Sequence, residues 1–409
     1  MMNKYDNMCF FDKFCGFSSK HSFMKYISLR RSISDSISIM NYQDLGDCNE
    51  QLDALLREEP AHPLLLLDKG MLLETMGEWH SALEYYEKFL DIIPDNIFAL
   101  FKKAQCLNSI GRWKESLHNF EAIIELNKTN GSCSNKYYSN MISRLNHDMQ
   151  DIMHENDLVK HIGVVAGLRE DYYTSYAKYM IAWILYSKGL YSQSLDAYGI
   201  ILPNDPFYLS AQYGVGLVLV ALNQYSDAAE TLEKVVSTKP LSGEDWMCEA
   251  WILLGNIYES LDKEAEALRC YQEAIKTPGG EDGVLYIANI YYRNHDDYAA
   301  VHLLEQHIDR FSKSDDQYCE IIMLLLYGLT NLKNYSTGLD YITKSPSSLH
   351  NNPEFWVYKG ICLWHLGEGR QAIEALKKAL QIDPDNKNAL LNTADCYRLM
   401  NEYKSAIQY

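Results

Sequence analysis

No two cysteines in the sequence are spaced as CxxC, and the ten cysteines form no paired zinc spacing. The common small zinc modules are thereby excluded. No apolar run approaches the length that spans a bilayer. The N-terminus lacks the compact basic, apolar and small-residue layout of a secretion signal. GxGxxG, GxxxxGK[ST], GxSxG and HExxH are all absent, so the familiar phosphate-cradling and nucleophile loops have no counterpart here. Basic residues are scarce relative to acidic ones, 37 against 55, for a net charge of −18. A surface of that sign repels phosphate backbones, which argues against nucleic acid and anionic membrane as partners and favours basic ones.

What is present is a hydrophobic fraction of 47%, with 12% aromatics, arranged at helical spacing. The clearest stretch runs from Cys248 to Glu281. Trp251, Leu254 and Tyr258 recur on one helical face. Gly255 lies within that helix, where it costs about 1 kcal/mol against Ala. Such a cost implies a packing reason: a second helix crossing close by, with Ala267 as its matching small surface. Pro278 and the Gly279-Gly280 pair end the second helix.

The order Trp251, Leu254, Gly255, Tyr258, then Ala267, Tyr271, Ala274 and Pro278, resembles the tetratricopeptide repeat, a helix–turn–helix unit of about 34 residues. The resemblance implies an all-α, right-handed superhelical solenoid, in which each unit packs against its neighbours. The pattern recurs without a gap at 63–96 and 97–130. There Gly70 and Ala82, then Ala104 and Ser116, take the small positions, and Trp79 matches Trp113. A second contiguous pair occupies 175–208 and 209–242. About five units fill 248–409: the reference repeat, a weaker one from 281 with a one-residue ambiguity in its turn, a weaker one still at 319–352, a clear one at 353–386, and a last from 387. That last unit stops inside its second helix, as expected of a piece of a longer chain.

Three stretches fall outside the period. Residues 1–45 are Ser-rich without a lasting helical period and are expected to be a poorly ordered extension, with Met24 and Met40 as alternative starts. Residues 46–62 read as a degenerate half repeat, with Leu52, Leu55 and Leu56 on one face. Residues 131–174 read as an irregular helical insert. Its His147, His154 and His161 lie seven apart on one face, but about 10 Å of helix separates neighbours, too far to share one ion at about 2 Å each. Cys9 and Cys15 have no further ligands at a helpful spacing. Cys106, Cys362 and Cys396 hold the same place in three units and read as core thiols, which implies a reducing compartment. His302 and His307 sit five apart, the wrong spacing for one helix face. Catalytic residues, metal ligands and cofactors are therefore none.

In proteins of this family the first helices of the units line a concave groove. Carried over, that places Tyr176, Tyr179, Trp183 and Tyr186 in one stripe, apart from the packing residues Ala182 and Leu185. Tyr213 is expected beside them on the next unit, Phe98 and Phe101 at matching places before the insert, and Tyr358 and Trp364 near the far end. Such aromatics favour binding an extended peptide or a helix. Two readings of the stripe stay open: it grips a partner, or the 131–174 insert covers it. The two-carboxylate clamp that some members use lacks its residues here, since Leu67 and Met71 stand at the corresponding places. The expected function is a non-catalytic protein-interaction scaffold in the cytoplasm, with a protein or peptide partner. The alternative is the regulatory or substrate-recruiting arm of a larger enzyme, such as a glycosyltransferase, whose catalytic domain lies beyond residue 409. Self-association through terminal repeats is a third expectation.

Overall fold

The computed structural model describes residues 19–38, 42–128, 170–238, 246–312 and 316–409. Among them there are twenty α-helices and no β-strand. Most of the expected insert, with His147, His154 and His161, lies outside the described residues, as do Cys9 and Cys15. The chain divides into two units, Met1–Leu222 and Asn223–Tyr409.

The first unit contains α1 (Lys20–Ser38), α2 (Tyr42–Glu58), α3 (Pro63–Thr75), α4 (Trp79–Ile92), α5 (Ile97–Ser109), α6 (Trp113–Lys128), α7 (Glu170–Ser187), α8 (Tyr191–Gly199) and α9 (Tyr208–Ala221). The second contains α10 (Tyr225–Ser237), α11 (Met247–Ser260), α12 (Glu264–Ile275), α13 (Gly283–Arg293), α14 (Asp297–His307), α15 (Asp316–Asn331), α16 (Tyr335–Lys344), α17 (Pro353–His365), α18 (Gly369–Ile382), α19 (Lys387–Leu399) and α20 (Tyr403–Ala406). Within each unit a helix packs chiefly on its neighbours in sequence, as in a solenoid. The fold is an all-α array of helix–turn–helix repeats.

The turns show why the frame holds. Gly77, Gly111, Gly189, Asn223, Asp262, His295, Lys333, Gly367 and Asn401 have φ between 57° and 90°. Each is the fifteenth residue of its repeat, His295 included, so the ambiguity in that turn is resolved. At Gly77 the amide donates to Glu74 O at 3.0 Å and the next amide, Glu78, to Leu73 O at 2.9 Å. This pair of bonds closes the first helix and turns the chain back. The same pair recurs at His295 and at Lys333. The glycines mark this place most clearly, and four of the other five turns carry Asn, Asp or His, the side-chain residues most often found at a left-handed φ.

The helix starts are equally local. Asn96 and Asn386, each following a Pro-Asp, cap the next first helix by accepting from Ala99 N at 2.8 Å and Ala389 N at 2.9 Å. Inside several hairpins a large residue enters the space beside a small one sixteen residues earlier. A Cβ added at Gly70 would lie 2.7 Å from Tyr86 Cε1, one at Gly255 2.7 Å from Tyr271 Cζ, and one at Gly360 2.6 Å from Leu376 Cγ. Where the second helix carries Ser116 or Ser194, its hydroxyl donates to the carbonyl of Ala104 or Ala182 at 2.7 Å. Cys106, Cys362 and Cys396 are buried as expected, and burial pushes the Cys362 and Cys396 thiols up to about 11.

The N-terminal expectation is corrected. Within 1–45, α1 is a helix that packs on α2 through buried Tyr26, Ile27 and Leu29, so 46–62 belongs to a full hairpin rather than a half. The reason is tertiary. Tyr26 Oη donates to Asp68 Oδ2 at 2.5 Å, and Arg30 Nε lies 3.2 Å from the same oxygen. Arg30 and Asp68 are only 8% and 5% exposed. Burial pushes the Asp68 carboxyl up, opposed by Arg30 and then by the Tyr26 hydrogen bond. These contacts tie α1 to α3, and no helical period reveals them.

Two outcomes follow. Lys333→Gly should stabilise the second unit by about 1 kcal/mol, because it removes a left-handed residue with a Cβ. A lower unfolding midpoint in urea, followed by circular dichroism, would refute that account of the turn. Arg30→Met should loosen α1 by about 3–5 kcal/mol, since it strands a buried carboxylate. Hydrogen exchange over 20–38 reports it, and Arg30→Met with Asp68→Leu should recover most of the protection. Exchange unchanged in the single variant would mean the pair does not hold α1.

Candidate functional site

The aromatic residues picked out by sequence fall into separate places. In the first unit Phe98, Phe101, Tyr176 and Tyr179 come together. Phe101 is corrected outright. It is 7% exposed, with its ring 5.2 Å from Tyr173 and 5.0 Å from Tyr176, edge to face, so it is core rather than groove lining. Phe98 packs edge-on to Tyr173 at 6.0 Å and carries the Lys102 ammonium 5.9 Å from its centroid.

Tyr176 and Tyr179 are half-buried, and what meets them is Phe207. Its ring lies 5.3 Å from Tyr176 and is stacked on Tyr179 at 5.8 Å. Phe207 comes from the exit turn of the same repeat. That turn is held against α7 by Asp205, which accepts from Ser175 Oγ at 2.9 Å and lies 3.6 Å from Lys178 Nζ. Burial pushes the Tyr176 phenol up, offset by its hydrogen bond with Gln105. Trp183 and Tyr186 form a second pair at 5.6 Å, extended by Tyr191 at 6.0 Å from Tyr186. Tyr213 is half-buried on α9. Tyr358 and Trp364 belong to the second unit, half-buried against two different clusters.

A groove of about 720 Å³ opens instead along the first helices of three successive repeats in the second unit. It is lined by Asn256 and Glu259 of α11, by Tyr286, Asn289, Tyr292 and Arg293 of α13, and by Leu324 and Tyr327 of α15. Asn256, Asn289 and Tyr327 each stand ninth in their repeat. That recurrence is a signal the sequence carried: residues at one place in consecutive units, outside the small packing and turn positions. Tyr327 is 42% exposed, with its ring edge-on to Tyr292 at 5.0 Å. Tyr292 Oη donates to Leu324 O at 2.7 Å, tying α13 to α15. Gly328 makes this possible, since a Cβ there would meet Tyr292 and Val301.

The groove floor is fixed from behind by Tyr271 of α12. Its oxygen lies 2.6 Å from Glu259 Oε1 and 2.7 Å from Asn256 Oδ1. A phenol has one proton, and it goes to the carboxylate, which can only accept. Asn256 then meets the phenol oxygen through its amide N–H₂, with the amide turned over. The other Glu259 oxygen accepts from Arg293. Both carboxylate oxygens are thus engaged. Burial pushes the Tyr271 phenol up, and its hydrogen bond to Glu259 adds to the rise. The ring itself is stacked on Tyr286 at 4.9 Å.

No group of three or more His, Cys, Asp or Glu residues that could hold a metal ion occurs among the described residues. No helix there is long and apolar enough to cross a membrane.

Four models of the tetratricopeptide repeat match residues 65–96, 179–242, 248–277 and 363–409. The chain is a tetratricopeptide-repeat protein. Repeats of this family serve protein interaction, and the chain is such a scaffold in that general sense. Similar solved structures include a tetratricopeptide repeat protein from Parabacteroides merdae, 15% identical, covering 75% of this chain and 99% of that one, with a TM-score of 0.45. The MamA protein is 19% identical over 52% of this chain and 90% of its own, TM-score 0.35. YrrB, described as a TPR protein with an unusual peptide-binding site, is 19% identical over 52% and 89%, TM-score 0.27. No curated protein sequence matches the chain.

The hairpin behind the groove can be tested through Gly255→Ala, which should cost the tetratricopeptide array about 1–3 kcal/mol by forcing the Tyr271 ring aside. Tyr271→Phe should cost about 1.5–3 kcal/mol, because its hydroxyl donates to the Glu259 carboxylate. Urea unfolding of both variants checks this. A neutral Gly255→Ala would show that the ring does not need the glycine's space.

Proposed function

We propose that this protein holds an extended peptide segment of a partner protein in the groove of its second unit, without catalysis of its own. The observation that carries the proposal is the alignment of Asn256, Asn289 and Tyr327 along three consecutive first helices, with Tyr286, Tyr292 and Leu324 between them. Amides spaced along a groove suit the alternating donors and acceptors of a peptide backbone. Aromatic rings beside them bury side chains at little entropic cost. The Tyr271 contact fixes Asn256 in advance, so less conformational freedom is lost on binding. The charged pair Glu259–Arg293 is internally neutral, and the net charge of −18 favours a partner of opposite sign.

The aromatic stripe of the first unit supports the reading less well. Phe207 already satisfies Tyr176 and Tyr179, and an aromatic face that is covered gains little from a second cover.

The test is site-specific photo-crosslinking. A photoreactive phenylalanine analogue replaces Tyr327 in one variant and exposed Gln272 of α12 in another, each used in native lysate. A partner captured from 327 and not from 272 is expected, with capture reduced on the order of tenfold by Asn256→Ala and Asn289→Ala together. Equal capture from both sites, or capture indifferent to the two asparagines, would overturn the groove as the seat.

A further inference from the structure

Partly buried cations in this acidic chain are regularly met by carboxylates. Arg30 meets Asp68, Lys69 meets Asp53, Lys102 meets Glu74, Lys103 meets Glu87, and Lys178 meets Asp205. Lys359 of α17 departs from this pattern. It is half-buried, and its ammonium lies 5.2 Å from the centroid of Trp356. From the next helix, Lys378 of α18 brings a second ammonium to the same indole, at 4.5 Å. Neither lysine makes a salt bridge among the described residues. Burial, and then the repulsion of Lys378, pushes the Lys359 pKa down.

The indole is itself held still. Trp356 Nε1 donates to His350 O at 2.9 Å, and its ring packs on Phe355 at 5.7 Å. The His350 ring stands 5.6 Å away on the same aromatic. Two ammonium groups and an imidazole therefore surround one immobilised ring, in a chain whose net charge is −18. The attraction of an indole for a cation is modest, and the two lysines repel one another. A dianion bound by both lysines would relieve that repulsion. Lysine is a point charge suited to phosphate oxygens rather than to a planar carboxylate fork. Glu374 lies one turn before Lys378 on α18 and is exposed, yet forms no bond with it.

We propose that Lys359, Lys378 and Trp356 form an anion site for a phosphoryl group, separate from the groove at Asn256 and Asn289. The phosphoryl group is carried either by a phosphorylated peptide or by a small free phosphate compound; both offer the same oxygens to the lysines.

The probe is inorganic phosphate, titrated into the full chain at constant ionic strength, with Trp356 emission as the readout. The chain has seven tryptophans, so the Trp356→Phe difference signal isolates the reporter. A saturable change in the millimolar range is expected. Lys359→Gln and Lys378→Gln should each weaken it on the order of tenfold. The double Lys→Arg variant should retain it. The helical melting of each variant shows that it is folded. A phosphoserine peptide that binds on the order of tenfold more tightly than inorganic phosphate places the phosphoryl group on a protein; equal affinity places it on a small molecule. No saturation, or an identical response after Lys359→Gln and Lys378→Gln, would overturn the site. So would the same response to chloride at matched strength, which would leave two lysine stems packed on an indole.

Discussion

The contact on which the structure depends is the entry of one large residue beside one small residue across the repeat hairpins, seen most clearly at three glycines. At Gly255 the ring of Tyr271 fills the space that any side chain would occupy. Because interiors are packed to crystal-like density, the pair fixes how closely the two helices approach. Gly70 with Tyr86 and Gly360 with Leu376 repeat the arrangement. Ala104 and Phe120, both fully buried, occupy the same two places in the second repeat. Once the hairpin is rigid, the first helix can only present its remaining face to the next unit and to solvent. The groove is that remaining face.

The same contact carries a polar consequence. A phenol driven into a core must place its hydroxyl somewhere. Tyr86 donates to Glu74 at 2.7 Å, and Lys102 of the next repeat donates to the other oxygen of that carboxylate at 2.8 Å. Tyr271, Glu259 and Arg293 make the equivalent chain in the second unit. In both, the carboxylate stands twelfth in its repeat. The unit at 175–208 has Tyr186 at that place, and the buried Tyr198 hydroxyl finds no hydrogen-bond partner among the described residues. So a single residue at the end of the first helix decides whether core, groove and neighbouring repeat are joined through one carboxylate.

Sequence made the repeats legible because their signals are local. Trp251, Gly255, Ala267 and Pro278 act within one hairpin, and nine turns fall at one place in the frame. It concealed α1 because its anchors, Tyr26 and Arg30, act on Asp68 about forty residues away. The binding surface was legible in part. The aromatic stripe was chosen by residue type, and type alone does not tell an exposed ring from a covered one. Phe207, which meets Tyr176 and Tyr179, arrives from the repeat's exit turn. Phe101 failed for the same reason, its ring taken up by Tyr173 and Tyr176.

The groove residues carry the opposite signature. Asn256 and Asn289 contribute nothing to hydrophobic periodicity, and asparagine is a poor choice within a helix on propensity alone. They hold one place in consecutive repeats, on the face that the Gly255–Tyr271 packing turns outward. A surface selected for stability would place Lys, Glu or Ala there at no cost. Polar residues of low helix propensity, repeated in register and in one case fixed from the core by Tyr271, suit the proposed peptide occupant, whose own polar groups recur along its length. An extended backbone has that property, which a covered aromatic stripe does not require of its partner.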